Sequence, residues 1–274
     1  MYQSHLSFNF TANGTMTIAT NLCKGVIKHC GFKQSSRGLA VQSNRWTNCT
    51  NMENYNADQV KLMKEECIAV DEHDCVVGPK SKLACHLQSE NLPLHRAFSL
   101  FLFNSKQELL MQQRASSKIT FPGHFTNSCC SHPLYNQKEL NERDAMGVKL
   151  AAQRRLFSEL GVNKSQFPVD CITYLTRIHY KASSDDKWGE HEVDYILFAQ
   201  CDVNLDINPN EVSKICYVPR NGMQDFLNDC DRKGIPLTPW FKLIVKHGLM
   251  EWWSHLDNLR KYCDHTNIVR LRGT

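Results

Sequence analysis

The 274-residue chain is 42% apolar and 22% charged, the balance of a globular domain rather than of a disordered polymer. No run approaches the ~18 uninterrupted apolar residues of a membrane-spanning helix, so no membrane span is expected. The net charge of +4 is no argument for nucleic acid: residues 1–52 hold Lys24, Lys28, Lys33, Arg37 and Arg45 and no acid, so they carry +5 and the remaining chain −1.

Residues 1–52 are rich in Ser, Thr and Asn and poor in acid. That is the composition of an organelle transit peptide, and equally of a disordered extension without an address. A mitochondrial address is the expectation, with the cytoplasm as its alternative. No apolar core follows a basic start, so the sequons at Asn9, Asn13, Asn48 and Asn163 read as chance matches. Thirteen cysteines without a CxxC pair suit free thiols in a reducing compartment, most of them as small buried hydrophobes.

Residues 57–66 read as a short helix. In Cys67 to Gly78, two apolar runs flank a polar turn, which is a hairpin signal. Arg96 to Phe103 and Glu108 to Arg114, joined by a polar NSKQ turn, read as a second hairpin. A helix is predicted from about Lys138 to Leu160, with Val148, Ala152, Leu156 and Leu160 on one stripe and Gly161 as its C-cap. Strands are predicted near 171–182, 192–202 and 215–218. After Arg220 the pattern turns helical, with Thr238 as an N-cap and Pro239 at the first helical position, which puts Trp240 in the first turn. The class is therefore α/β: a mixed sheet covered by helices, one domain over residues 53–274 behind an extension of 1–52.

Three segments carry candidate chemistry. In Thr120 to Leu134 (TFPGHFTNSCCSHPL), an extended backbone puts Cys130 and His132 on one face and Cys129 on the other. In Trp188 to Ile196 (WGEHEVDYI), period-two geometry puts Glu190 and Glu192 on one strand face and His191 on the other. Like charges so close ask for a cation between them or a proton on one. In Lys80 to Phe98, His86 and His95 flank a polar loop. Three histidines with two glutamates suit a divalent ion such as Mn, Zn or Mg at octahedral coordination. Lys82, Arg114, Lys118 and Arg155, with Glu159 one turn beyond Arg155, suit a diphosphate and its magnesium. Taken singly, each of these residues is as open to a structural or surface role.

Together, HRAF, QQR-x3-K-x-TFPG-x-FTN-x-CCSHP, AAQRRL-x2-ELG, YLTRIHYKA, WGEHE-x-DYI and TPWFK resemble the type I isopentenyl-diphosphate isomerases of eukaryotes, members of the Nudix superfold. The resemblance covers residues 60 to 265 and implies a Nudix-like mixed sheet sandwiched by helices, with a core over about 93–245. It implies Cys130 and Glu192 as the catalytic pair, Tyr180 and Trp240 as aromatic residues of the substrate pocket, and His86, His95, His132, Glu190 and Glu192 as metal ligands. It further implies Lys82, Arg114, Lys118, Ser131 and Arg155 as diphosphate contacts, and Glu159 as a holder of the magnesium that accompanies the diphosphate. The substrate would be a small isoprenoid diphosphate, handled by a monomer in mevalonate-pathway isoprene synthesis, with no nucleic-acid partner. In this reading Glu192, with Tyr180 in relay, protonates C4 of isopentenyl diphosphate. Cys130, as thiolate, takes a proton from C2. The His86–His95 loop is slightly shorter than in animal members, and His124 is an additional imidazole with no assigned role.

A Nudix hydrolase is the rival. Its REUxEExGU helix, aligned on Gly161, would put glutamates at 155, 158 and 159, with a further one upstream at 146. This chain has Arg155, Ser158, Glu159 and Met146 there, one carboxylate of four. A relative that binds without turnover is the other alternative; loss of Cys130 or Glu192 would mark it, and both are present.

Overall fold

A computed structural model describes residues 52–271. The transit-peptide expectation lies outside these residues, as do the sequons at Asn9, Asn13 and Asn48. The chain enters through α1 (Ala57–Leu62), whose first turn is capped by Asn56 Oδ1 accepting from the amides of Asp58 and Gln59. The helix is shorter than the predicted 57–66. Past Leu62 the backbone is claimed by another partner: Leu83 N donates to Met63 O and Lys82 N to Glu65 O. Glu66 then opens strand β1 (Glu66–Val70), which pairs antiparallel with β2 (Val76–Ser81) as the predicted hairpin. Ser81 caps α2 (Lys82–His86).

Strand β3 (His95–Phe103) is buried along its whole length. It meets β4 (Leu109–Arg114) only at Phe103–Leu109, so the second predicted hairpin splays open at its base. Both edges of β3 are already occupied. On one side it runs parallel to β8 (Gly189–Gln200) through nine register pairs. On the other it takes β6 (Cys129–Ser131) and touches β1 at Ala69–His95. The displaced β4 pairs instead with β5 (Phe125–Thr126) and β9 (Val212–Val218). Strand β7 (Thr173–Ser183) lies antiparallel to β8, and β10 (Ile268–Arg270) closes that edge in parallel.

Helix α3 (Met146–Leu160) begins eight residues later than predicted. Asp144 and Ala145 both take left-handed φ (51°), which breaks the run from Lys138. The preceding segment then folds back over the first turn of the helix: a Cβ on Gly147 would lie 2.1 Å from Glu139 O. The predicted stripe of Val148, Ala152, Leu156 and Leu160 packs on one sheet face, and Gly161 ends the helix at φ 68°. Against the other face lie α4 (Met223–Arg232), α5 (Pro239–Ile244) and α6 (Met250–Trp253), through Met223, Trp240, Phe241, Trp252 and Trp253. Thr238 takes the N-cap position of α5, but its hydroxyl donates to Thr126 Oγ1 (2.8 Å) instead of capping. The sheet is thus mixed and sandwiched by helices. All ten described cysteines are free; only Cys67, Cys85, Cys129 and Cys230 are buried, so most are not the core hydrophobes expected.

Candidate active site

Three imidazoles and a carboxylate meet where four elements converge. His86 ends α2, His95 opens β3, His132 follows β6, and Glu192 sits on β8 in register with His95. The ring centroids are 4.8–5.1 Å apart, and one donor atom from each of the four residues lies within 4.8 Å of the others. His86 Nδ1 is 2.7 Å from Lys82 O and His95 Nδ1 is 2.8 Å from Pro93 O. Those carbonyls accept only from N–H, so each neutral imidazole turns its Nε2 lone pair to the cluster, as metal-ligating histidines do when a carbonyl holds their other ring nitrogen. Both Nε2 atoms are buried without a hydrogen-bond partner. Orphaned lone pairs converging on a buried carboxylate fit a divalent cation. Glu190 Oε1 lies 3.9 Å from His86 Nε2, at the rim of the cluster and outside its inner four.

The two carboxylates of β8 point to the same side, as period-two geometry requires, and His191 points away to pair with His179. Tyr180, opposite Glu192 on β7, sets its hydroxyl between them, 2.6 Å from Glu192 Oε2 and 3.1 Å from Glu190 Oε2. A phenol has one proton to give. With it on Glu192, the Glu190 contact is made by a protonated carboxyl donating to the phenol oxygen. Burial, and then the charge of Glu192, push Glu190 up to about 8. Burial also opposes ionisation of Glu192, but the hydrogen bond from His132 (2.8 Å) leads the opposing influences and that carboxyl is held well below the usual range.

Cys130 faces this pair across a cavity of about 40 Å³. That is room for a few waters. Its register partner on β3 is Ser99. Burial pushes the Cys130 thiol up to about 12, against the pull of Arg114, whose Nη1 lies 3.8 Å from Sγ. Burial thus favours the thiol in the resting site. Arg114 is itself fixed by the carbonyls of Phe121 (3.0 Å) and Thr120 (2.8 Å), in a turn where Phe121 is held at φ 49°. Its guanidinium also lies over the Trp240 ring, 5.8 Å from the centroid. Trp240 is anchored by Asn127 Oδ1 accepting from Nε1 (3.1 Å).

The cavity brings together Cys130, Ser131, His132, Tyr180, Glu190, Glu192 and Trp240 with the cations Lys82, Arg114, Lys118 and Arg155. His86 and His95 lie behind it in the histidine cluster. Glu159 is not among the residues lining the cavity; its carboxylate accepts from Arg155 (2.6 Å) and Gln112 (3.2 Å). Cys129 lies in the core on the far face. His124 accepts no role here, being tied to Pro122 O. Two groups were not picked out from sequence. Gln59 of α1 roofs the cavity, and Glu211 holds Lys118 and Arg155. Glu211 ends the turn Asn208–Glu211, and an acid placed just before a strand is the only local signal.

Comparison with known proteins bears on the same residues. The NUDIX domain model matches residues 93–241. The chain is 51% identical over 216 residues to isopentenyl-diphosphate Delta-isomerase 1 of Bos taurus, covering 78% of this chain and 95% of that protein. It is 53% identical over 208 residues to the chloroplastic isopentenyl-diphosphate Delta-isomerase I of Arabidopsis thaliana, covering 73% of this chain and 71% of that protein. It is 50% identical over 232 residues to the isopentenyl-diphosphate delta-isomerase of Gibberella zeae, covering 82% and 90%.

Proposed function

Because this chain belongs to the isopentenyl-diphosphate Delta-isomerases of the Nudix family, we infer that it converts isopentenyl diphosphate to dimethylallyl diphosphate by moving a C=C bond through protonation and deprotonation. The observation that carries this reading is the cavity itself. A thiol on β6 faces a hydrogen-bonded Glu190–Tyr180–Glu192 chain, with four cations alongside.

An unactivated alkene is a very weak base, so its protonation needs an acid held against the carbon in a dry site. In the forward direction Glu192 delivers a proton to C4, giving a tertiary cation, and Cys130 Sγ removes a proton from C2. The proton count closes: the acid ends as carboxylate and the thiolate as thiol. That final state is the resting state described above, and it is also the starting state for the reverse reaction. Resetting for a forward turnover moves one proton from Cys130 to Glu192, whose hydrogen-bond neighbour on β7 is the Tyr180 hydroxyl. Trp240 offers its π face to the cation, worth about 2 kcal/mol in a desolvated pocket. Lys82, Arg114, Lys118, Ser131 and Arg155 hold the diphosphate.

His86, His95, His132, Glu190 and Glu192 would hold a divalent cation, and Glu159 a magnesium bound with the diphosphate. Bound there, the cation supplies fixed positive charge that orients Glu192 and tunes its proton affinity. The nitrogen-rich donor set favours Zn or Mn over Mg at the first site. Hydrolysis is disfavoured because Arg155, at a glutamate position of the hydrolase helix, spends its guanidinium neutralising Glu159. The test is turnover in deuterated water with magnesium present. Deuterium is expected in the product by mass spectrometry, and no incorporation at saturating substrate overturns the assignment.

A further inference from the structure

The reaction just described gives Glu211 no part, yet its carboxylate sits among the diphosphate cations. It is 6% exposed. Its Oε2 accepts from Lys118 Nζ at 2.6 Å and Arg155 Nη2 at 3.0 Å, and its Oε1 accepts from Gln59 Nε2 at 3.1 Å. Its backbone is equally fixed: Ala115 N donates to Glu211 O (3.0 Å), and the next residue, Val212, pairs with Arg114.

We propose that Glu211 is a positioning residue of the diphosphate subsite, the buried counter-ion that holds the Lys118 ammonium beside the Arg155 guanidinium for one diphosphate to meet both. This rests on the diphosphate reading above. A buried ion pair that served stability alone could be replaced by apolar side chains without loss. Here both cations line the cavity and keep donors for a ligand. Among the described residues Arg155 Nη1 has no partner, and Lys118 Nζ spends one of its three protons. The charged groups acting on Lys118 are Glu211 and the cations Arg114, Lys82 and Arg155. Burial and those cations bring Lys118 down to about 8 with Glu211 in place. Neutralising Glu211 removes the one opposing charge in that set, so Lys118 loses its proton near neutral pH. Binding a diphosphate must then take the proton back up.

The test is Glu211→Gln, close in shape and uncharged, assayed from pH 6 to 8.5. KM for isopentenyl diphosphate is expected to rise about ten-fold or more at pH 8. It should climb up to about ten-fold per pH unit and return toward wild type at pH 6, with kcat changed less than KM. A structural role would give a loss indifferent to pH. In a Lys118→Met background the same change should add little. The dissociation constant of inorganic pyrophosphate, by calorimetry, reads the subsite without turnover and should follow the KM pattern. An unchanged KM, a pH-independent rise, or a full effect without Lys118 overturns the proposal. Failure of the wild-type protein to act on isopentenyl diphosphate would overturn the isomerase reading instead, leaving the pyrophosphate measurement to judge Glu211.

Discussion

Adjacent in sequence, Cys129 and Cys130 face opposite sides of β6, and that alone separates their chemistry. Cys129 is wholly buried in the core with its Sγ 3.6 Å from Glu159 Oε2, whereas Cys130 shares the cavity with Tyr180 and Glu192. Cys130→Ala removes the base and leaves the histidine cluster untouched, so turnover should fall by about 10²–10⁴-fold while metal content, by elemental analysis, stays at the wild-type level. His132→Ala removes a ligand and a hydrogen bond to Glu192, so both should fall. A dead Cys129→Ala beside an active Cys130→Ala would reverse the assignment. Period-two alternation was enough to read the Cys130–His132 face and the Glu190–Glu192 face from sequence. It also places Asp194 on that carboxylate face, where Ser99 Oγ donates to it at 2.8 Å, but nothing local marks the partner. Glu211 was beyond reach for the same reason: it meets Lys118 from 93 positions away, and a turn followed by an acid carries no trace of that meeting.

Helix α1 has six residues, too few to persist alone, so its place over the cavity depends on side-chain ties. Gln59 reaches Asn210 Oδ1 (2.8 Å) and Glu211, while just upstream Tyr55 OH accepts from Trp188 Nε1 (2.9 Å). The cavity of about 40 Å³ is smaller than a five-carbon diphosphate and α1 contributes Gln59 and Leu62 to its lining, so movement of α1 is the expected route of entry. Tyr55→Phe leaves the buried Trp188 N–H without its acceptor, worth about 1–3 kcal/mol. Amide exchange over residues 52–63 should therefore quicken about ten-fold or more in the free protein, and inorganic pyrophosphate should slow it again. Exchange that ignores both the substitution and pyrophosphate would show that the cavity opens elsewhere. The elements that the sequence made readable were those with a sustained period, such as the α3 stripe. The start of α3 was not, because it is set by two left-handed residues, Asp144 and Ala145, whose side chains do not demand that conformation. The splayed β3–β4 pair was not either, because β8 and β6 claim the edges of β3 from far downstream, as in the pairs His95–Glu192 and Ser99–Cys130.

Across the whole molecule, the N-terminal hairpin is tied to the rest of the sheet mainly by side chains: Ile68 and Val70 pack in the core, and Asp74 in its turn accepts from Arg96 and Arg177. Strand β1 meets β3 at the single pair Ala69–His95, and the hairpin's C-terminal end leads straight into His86. The histidine cluster therefore spans that seam, with His86 on the hairpin side and His95, His132 and Glu192 on the sheet side. A cation held there binds only the folded chain and so stabilises it by mass action, by about 2.7 kcal/mol when free metal is at a hundred times the dissociation constant. For a domain of this size that is about 5–10 °C in Tm. Stripping metal with a chelator should lower the Tm by that much, and re-adding Zn or Mn should restore it. His86→Ala should start at the lower Tm and respond to neither, because the bridge from the hairpin is gone while three donors remain. If chelation leaves the wild-type Tm unchanged, the cluster does not clamp the hairpin. If His86→Ala responds as fully as wild type, His86 is not the link across the seam, and the orphaned Nε2 would need another explanation.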